Sequence, residues 1–287
     1  MSDMRIGKFQ VVGTLGTGAH STILHIRRTE DSKHYALKVV DISEPGDQKY
    51  LDQAQHELRV AQMLDHPNLV KVHALETVKD WLFRVRKVHL LSEYVNGKTL
   101  DTCPRLTIPR LVQVFKAVAD GVVHMHRRQV CHGDLKPNNV MLSRSGEVKI
   151  IDYGLARIKG EEVDRVQGTP EYMAPEQVKH SLINERTDIY NFGGMMYRLV
   201  SWKLPPSVIS EEDGGVPLDA KMWKRIYKPV EEINPRTPAA LATLINHCLR
   251  YDAVRRPERM SEVQGALDHL CDELVLTPDD SLDAMEW

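Results

Sequence analysis

Residues 131–139 read CHGDLKPNN. An acid (Asp134), a base (Lys136) and two amides (Asn138 and Asn139) follow one another within a few residues, with Gly133 just before the acid. The next stretch, NNVMLSRSGEVKIID, has the pattern of a β-hairpin turning at Ser145-Gly146. It joins the first polar cluster to a second acidic segment, Ile151-Asp152-Tyr153-Gly154, and is expected to bring Asp134 and Asp152 close in space.

The chain on either side differs in texture. Upstream, FQVVGTLG, STILHIRR and HYALKVVD alternate with period two, separated by the polar connectors TGAH and TEDSK, which predicts three antiparallel strands. Then DQKYLDQAQHELRVAQML carries Leu51, Ala54, Leu58, Ala61 and Leu64 at three-to-four spacing, one face of a helix that Asp65-His66-Pro67 stops. Two further β-rich runs, LVKVHALETV and KVHLLSEYV, lead to Asn96-Gly97. Residues 1–95 therefore read as a sheet with one main helix. Beyond them RLVQVFKAVADGVVHMH and the segments around 185–200, 238–249 and 258–270 are helical, so the fold class is α+β. Residues 271–287 are acidic and expected to be a frayed tail, with Trp287 free to dock.

Bulk properties exclude more than they assign. At 287 residues with 42% hydrophobic and 27% charged content, the chain is an ordinary globular protein. Lys and Arg total 38 against 40 acids, so no net basicity argues for nucleic acid and no polybasic block for a membrane surface. No run approaches the roughly 18 apolar residues of a membrane span, and MSDMRIGKFQ lacks the order of a signal peptide. Cys103, Cys131, Cys248 and Cys271 show no metal spacing and read as reduced structural thiols, so the expected compartment is the cytoplasm. His124, His126, His247 and His269 read as ordinary helix histidines.

GTLGTGAHSTI at 13–23 is a glycine-rich turn. A phosphate-binding P-loop needs Lys after its second glycine, where Ala19-His20 stand, and a dinucleotide fingerprint opens a helix, whereas STILHIRR alternates as a strand. A turn between strands remains. Lys38 on the third strand and Glu57 on the helix are placed to form an ion pair that holds an ammonium over phosphates beneath that turn. HEL at 56–58 is not a zinc motif, since position 60 is Val.

Taken in order, Leu15-Gly16-Thr17-Gly18, Ala36-Leu37-Lys38, Glu57, HGDLKPNN, Asp152-Tyr153-Gly154, GTPEYMAPE at 168–176, TDIYNFGG at 187–194 and Arg256-Pro257 resemble the Ser/Thr branch of the protein kinase family, from about Lys8 to about Leu270. The resemblance implies a bilobal fold, with residues 1–95 as a small β-rich lobe and 96–270 as a larger helical one. It implies transfer of the ATP γ-phosphoryl group to a protein Ser/Thr hydroxyl. Asp134 would accept the hydroxyl proton, Lys136 would neutralise the transferring group, and Lys38, fixed by Glu57, would hold the α- and β-phosphates. Asn139 and Asp152 would ligate Mg²⁺. Adenine would lie among Leu15, Ile23, Ala36 and Met141, with hydrogen bonds from the backbone of Glu93 and Val95, while Gly16 and Gly18 cover the phosphates.

The departures carry their own expectations. Gly133 stands where relatives usually have the Arg that grips an activation-segment phosphate, and LARIKGEEVDRVQ between Gly154 and Gly168 has no Ser, Thr or Tyr. Activation-segment phosphorylation is therefore expected to be unnecessary; Glu161, Glu162 and Asp164 read as a solvated acidic run, with phosphate mimicry as the alternative. Ser21 replaces the third loop glycine, and Tyr153 stands where Phe is commoner, with room left by Ala61. Ser92 implies an open back to the adenine pocket. Asn138 stands where relatives that favour Arg-rich substrates carry Glu. Glu176 and Arg256 are expected to form a buried pair bracing the peptide-binding segment. Two alternatives remain at this stage: a pseudokinase scaffold that binds without transfer, and a small-molecule kinase. The sequence names neither the substrate nor the oligomeric state.

Overall fold

In the computed structural model the residues described are 4–18, 20–161, 167–180, 183–210 and 216–282. Glu162, Asp164 and Trp287, to which the sequence assigned expectations, lie outside them. The chain forms two compact units, one of residues 1–65, 69–96 and 152–154, the other of residues 66–68, 97–151 and 155–287.

The first unit is a six-stranded antiparallel sheet in the order β1-β2-β3-β4-β6-β5 with one long helix. Its strands are β1 (Arg5–Ile6), β2 (Phe9–Thr17), β3 (Ser21–Arg28), β4 (His34–Asp41), β5 (Val72–Lys79) and β6 (Val85–Glu93), and α1 spans Gln48–Gln62. Directly paired residues share a face. The pairs Ile23↔Lys38, Lys38↔Leu90 and Ala36↔Ser92 therefore put Ile23, Ala36, Lys38, Leu90 and Ser92 on one side. At the end of that side, Val40 and Val88 pack with Leu51 and Ala54 of α1. On the other, Ile26, Leu37 and Val39 are covered by Phe9, Val11, Leu24, Tyr35 and Leu91. The buried residues of α1 are Leu51, Ala54, Glu57, Val60 and Ala61. A carboxylate thus occupies the stripe read from sequence as apolar, and Leu58 is only half-buried.

The second unit is mainly helical: α2 (Ile108–Arg127), α3 (Pro175–His180), α4 (Glu185–Ser201), α5 (Ala220–Ile226), α6 (Val230–Ile233), α7 (Ala239–Cys248) and α8 (Met260–Glu273). Helix α2 lies against α8, and α4 against α7. The hydroxyl of Thr107 accepts from the Arg110 amide at the start of α2, and Pro109 sits in its first turn, where a missing N–H is harmless. Asn184 caps α4 by accepting from the amides of Arg186 and Thr187 at 2.9 and 3.3 Å, and Thr187 Oγ1 accepts in return from the Asn184 amide.

Small sheets carry the polar segments: β7 (Gly97–Thr99), β8 (Val130–Cys131), β9 (Val140–Ser143), β10 (Val148–Ile150) and β11 (Arg157–Ile158), in the orders β10-β9-β7 and β11-β8, with β12 (Ile209–Ser210) pairing β13 (Val216–Pro217). The β9–β10 hairpin turns through Gly146 at φ 88°. Where β7 meets β9 the backbones are so close that a Cβ on Gly97 would lie 2.0 Å from the Leu142 carbonyl oxygen. All four cysteines are free thiols, and no helix among the described residues is long and apolar enough to cross a membrane.

The tail departs from the sequence expectation. Residues 278–280 form a turn of 3₁₀ helix, and Asp280 and Leu282 are buried. Arg110 Nε and Nη2 donate to the Asp280 carbonyl at 3.1 and 3.0 Å, Thr107 Oγ1 donates to its carboxylate, and the Thr277 amide donates to the same carboxylate at 2.7 Å. Asp280, one of the acids of the segment expected to fray, instead ties residues 277–280 to the start of α2. Asp280→Ala, which orphans the Thr107 and Thr277 donors, is expected to cost on the order of 1 kcal/mol. In differential scanning calorimetry that would appear as a fall in Tm of about 2–4 °C.

Candidate active site

In the first unit, Lys38 Nζ of β4 donates to Glu57 Oε2 of α1 at 2.9 Å and stands 3.7 Å from Asp152 Oδ1. Glu57 is 5% exposed. Burial by itself drives the Lys38 ammonium toward its neutral form, but the Glu57 and Asp152 carboxylates outweigh it and hold its pKa above the ordinary lysine value. For Glu57, burial pushes the carboxyl up and Lys38 opposes. The ammonium is therefore a fixed, charged group. Asp152 has φ 66°, a left-handed conformation that Asp tolerates better than most residues, and accepts from the Gly154 amide at 3.1 Å. Tyr153 is fully buried and donates its hydroxyl to the Val70 carbonyl at 2.9 Å.

Also in this unit, Gly16 pairs with Ile23 across β2 and β3, and the Gly18 amide donates to the Ser21 carbonyl at 2.7 Å, closing the turn. Leu15 is half-exposed, and Ile23 and Ala36 are partly buried on the same sheet face as Lys38. Ser92 Oγ donates to the Ala36 carbonyl at 3.3 Å. The Glu93 amide donates to the Lys71 carbonyl at 2.8 Å, and the buried Val95 follows β6.

In the second unit, the polar cluster of residues 131–139 folds around Asp134, which is 7% exposed. Lys136 Nζ lies 2.7 Å from Asp134 Oδ2 and also donates to Thr169 Oγ1. The Thr169 amide donates to Asp134 Oδ1 at 2.9 Å. Asn139 Nδ2 donates to the Asp134 carbonyl at 2.9 Å, turning its amide oxygen away as an acceptor. Met141 follows on β9, between Thr99 and Lys149.

This loop is anchored by Asp188 of α4, which is 0% exposed. Its Oδ2 accepts from His126 Nε2 at 2.7 Å and the His132 amide at 2.8 Å, and its Oδ1 accepts from the Gly133 amide at 2.8 Å. Gly133 has φ 76°, and a Cβ there would meet the Leu155 carbonyl oxygen at 3.0 Å, so glycine suits the position without strain. Gln177 Nε2 donates to the Gly133 carbonyl at 2.7 Å, and its Oε1 accepts from Asn191 Nδ2 at 3.2 Å. Neither Gln177, Asn191 nor the Thr169 amide was legible as part of this frame.

His126 is more than an ordinary helix histidine. Burial disfavours its charged form, yet its hydrogen bond to Asp188 and the Glu185 carboxylate, whose Oε2 lies 3.5 Å from Nδ1, raise its pKa to about 9. His126, Cys131 and Asp188 offer donor atoms within 4.8 Å of one another. Asp188 is committed to three donors, and burial holds the Cys131 thiol protonated, so the cluster is a hydrogen-bonded anchor and not a metal centre. The Glu176–Arg256 pair is formed and bidentate, at 2.8 and 2.9 Å, and Arg256 also donates to the Arg186, Arg250 and Tyr251 carbonyls.

A family model described as the protein kinase domain matches residues 9–269. The chain is 29% identical over 209 residues to a probable serine/threonine-protein kinase of Streptomyces coelicolor, covering 69% of this chain and 31% of that protein. It is 22% identical over 267 residues to the serine/threonine-protein kinase PrkC of Bacillus subtilis, covering 90% and 40%. With CBL-interacting serine/threonine-protein kinase 8 of Arabidopsis thaliana it shares 31% over 209 residues, covering 70% and 46%. The chain thus spans less than half the length of each of these relatives.

Two outcomes follow from these contacts. Removing one partner of the buried Glu176–Arg256 pair, as in Arg256→Met, is expected to cost about 3–5 kcal/mol in urea unfolding. The folded His126 pKa of about 9 exceeds the ordinary 6.5, so its contribution is complete below pH 6.5 and is lost as pH rises through about 9. That contribution, at most on the order of 3 kcal/mol, should vanish in His126→Gln, whose unfolding free energy should change less between those two pH values.

Proposed function

Since the chain belongs to the protein kinase family, we propose that it transfers the γ-phosphoryl group of ATP to a serine or threonine hydroxyl of a protein. The observation that carries this reading is the pairing of the Asp134 carboxylate with the Lys136 ammonium at 2.7 Å, in a loop pinned from below by Asp188. Phosphoryl transfer asks for positioning and charge neutralisation more than for covalent chemistry. The acceptor hydroxyl oxygen bonds to the γ-phosphorus as the bond to the β,γ-bridging oxygen breaks, and the hydroxyl proton passes to Asp134. Lys136 offsets charge on the moving group, and Lys38, held by Glu57, offsets charge on the α- and β-phosphates. ADP leaves with the bridging oxygen.

The family uses ATP with a divalent cation, and Mg²⁺ suits the donors present. Asn139 presents an amide oxygen and Asp152 a carboxylate, the hard oxygen ligands that ion prefers. When bound, it would neutralise phosphate charge. Adenine is assigned to Leu15, Ile23 and Ala36 with the backbone of Glu93 and Val95, and to Met141. Residues 1–95 and 96–270 are assigned as the small and large lobes, and the free thiols support a cytoplasmic setting. No residue of the transfer set is replaced, so the scaffold alternative gains no support.

We also assign activity without activation-segment phosphorylation. The Thr169 hydroxyl already accepts from Lys136, and a phosphate there would crowd the Asp134 carboxylate. Tyr172 is 6% exposed, which hides its hydroxyl.

With γ-labelled ATP and a generic Ser/Thr acceptor, Asp134→Asn and Asp152→Asn are each expected to lose about three decades in rate, or roughly 4 kcal/mol. Unchanged transfer in both would refute the assignment. Protein treated with phosphatase, verified by mass spectrometry to carry no phosphate on Thr169 or Tyr172, should keep its full rate. Bulky purine-like inhibitors should bind tightly and lose affinity in Ser92→Met; equal affinity would show that Ser92 does not border the adenine site.

A further inference from the structure

The hairpin joining β5 to β6 reads KDWLFRVRK over residues 79–87. Three consecutive apolar residues occupy its tip, and they are strongly exposed: Trp81 85%, Leu82 46% and Phe83 82%. Their presentation is built into the backbone. The Phe83 amide donates to the Asp80 carbonyl at 3.0 Å, and the Asp80 amide to the Arg84 carbonyl at 2.9 Å. The Asp80 carboxylate accepts from the amides of Leu82 and Arg84 at 2.8 and 3.0 Å and from Arg86 Nε at 2.9 Å. Phe83 has φ 61°, the left-handed position that such three-residue hairpin loops normally give to Gly or Asn. A bulky aromatic at a strained, solvent-facing turn has no role in packing this unit.

Behind the tip stand Lys79 at the end of β5, Arg84 just before β6, and Arg86 and Lys87 on β6, all exposed. Arg86 is paired with Asp80 and Lys87 with Asp41, while Lys79 and Arg84 make no ion pair among the described residues. The order from the tip inward is aromatic and aliphatic side chains first, then uncompensated cations. That is the layering of a bilayer interface, where Trp and Phe lie at the acyl boundary and Lys and Arg meet anionic headgroups. We propose that this hairpin docks the protein reversibly onto an anionic membrane surface, with Trp81, Leu82 and Phe83 inserted and Lys79 and Arg84 against lipid phosphates and carboxylates. A membrane fits the convex tip better than a protein does, because three adjacent apolar side chains on a two-stranded projection need a deformable apolar medium and not a matching cavity.

The test is co-sedimentation of the full chain with phosphatidylcholine vesicles containing about 30 mol% phosphatidylserine, against phosphatidylcholine alone. The wild type is expected to pellet with the anionic vesicles and to be released by high salt. Trp81→Ser/Phe83→Ser should reduce binding at least tenfold, and Lys79→Glu or Arg84→Glu about fivefold or more each, with kinase activity in solution unchanged. Trp81→Phe should still bind but lose the blue shift of tryptophan emission that the wild type shows on vesicles. Wild-type protein left in the supernatant with both vesicle types would overturn the proposal and point to a protein partner for the tip, and binding that survives Trp81→Ser/Phe83→Ser would overturn it as well.

Discussion

The buried carboxylate of Asp188 is the constraint on which the polar loop of the helical unit depends. It is fully inaccessible to water, and its two oxygens satisfy the amides of His132 and Gly133 and the imidazole of His126. A carboxylate in that position is tolerable only because both of its oxygens accept hydrogen bonds, three in all among the described residues. In return, the two residues immediately before Asp134 cannot shift without orphaning the Asp188 oxygens, so α4 holds the backbone that presents the Asp134 carboxylate. The protonated His126 completes the balance, and Gln177 grips the Gly133 carbonyl from the other side.

The sheet unit solves a different problem, fixing an ammonium between two carboxylates. Strand β4 supplies Lys38, helix α1 supplies Glu57, and the segment 152–154 contributes Asp152. The pairing of Ile23, Ala36 and Ser92 on the same sheet face as Lys38 gives this unit an apolar surface beside its cation. Burial of Glu57 fixes the pair from one side, because the carboxylate has little water to take the place of the ammonium, while Lys38 stays partly exposed.

How much of this was legible in the sequence depended on the range of each interaction. Strands β2, β3 and β4 and the β9–β10 hairpin announce themselves by alternation and turn residues, which act locally. Glu57 was recognised as a partner of Lys38, but its place on the buried stripe of α1 was not, since a charged residue reads as solvent-facing until its cation is known. Gln177, Asn191 and the Thr169 amide were missed because side chain–backbone bonds spanning tens of residues leave no periodic trace. The tail was misread from its acidity, although Thr277 and Asp280 stand at the spacing of a capping pair. The hairpin tip gave no turn signal because its left-handed position holds Phe83 where Gly or Asn would have marked it.

Tyr153 deserves a last comparison with the phenylalanine its position more often carries. A phenyl ring leaves a buried site at the cost of its contacts alone. Here the phenol also donates to the Val70 carbonyl, so departure would strand a backbone acceptor and break a bond whose partner is fixed in the sheet unit. The hydroxyl works as a latch on the segment that carries Asp152, favouring a single resting arrangement of that carboxylate. Compounds that gain affinity by displacing this aromatic side chain would have to open the latch first, whereas those that leave it seated meet no such barrier.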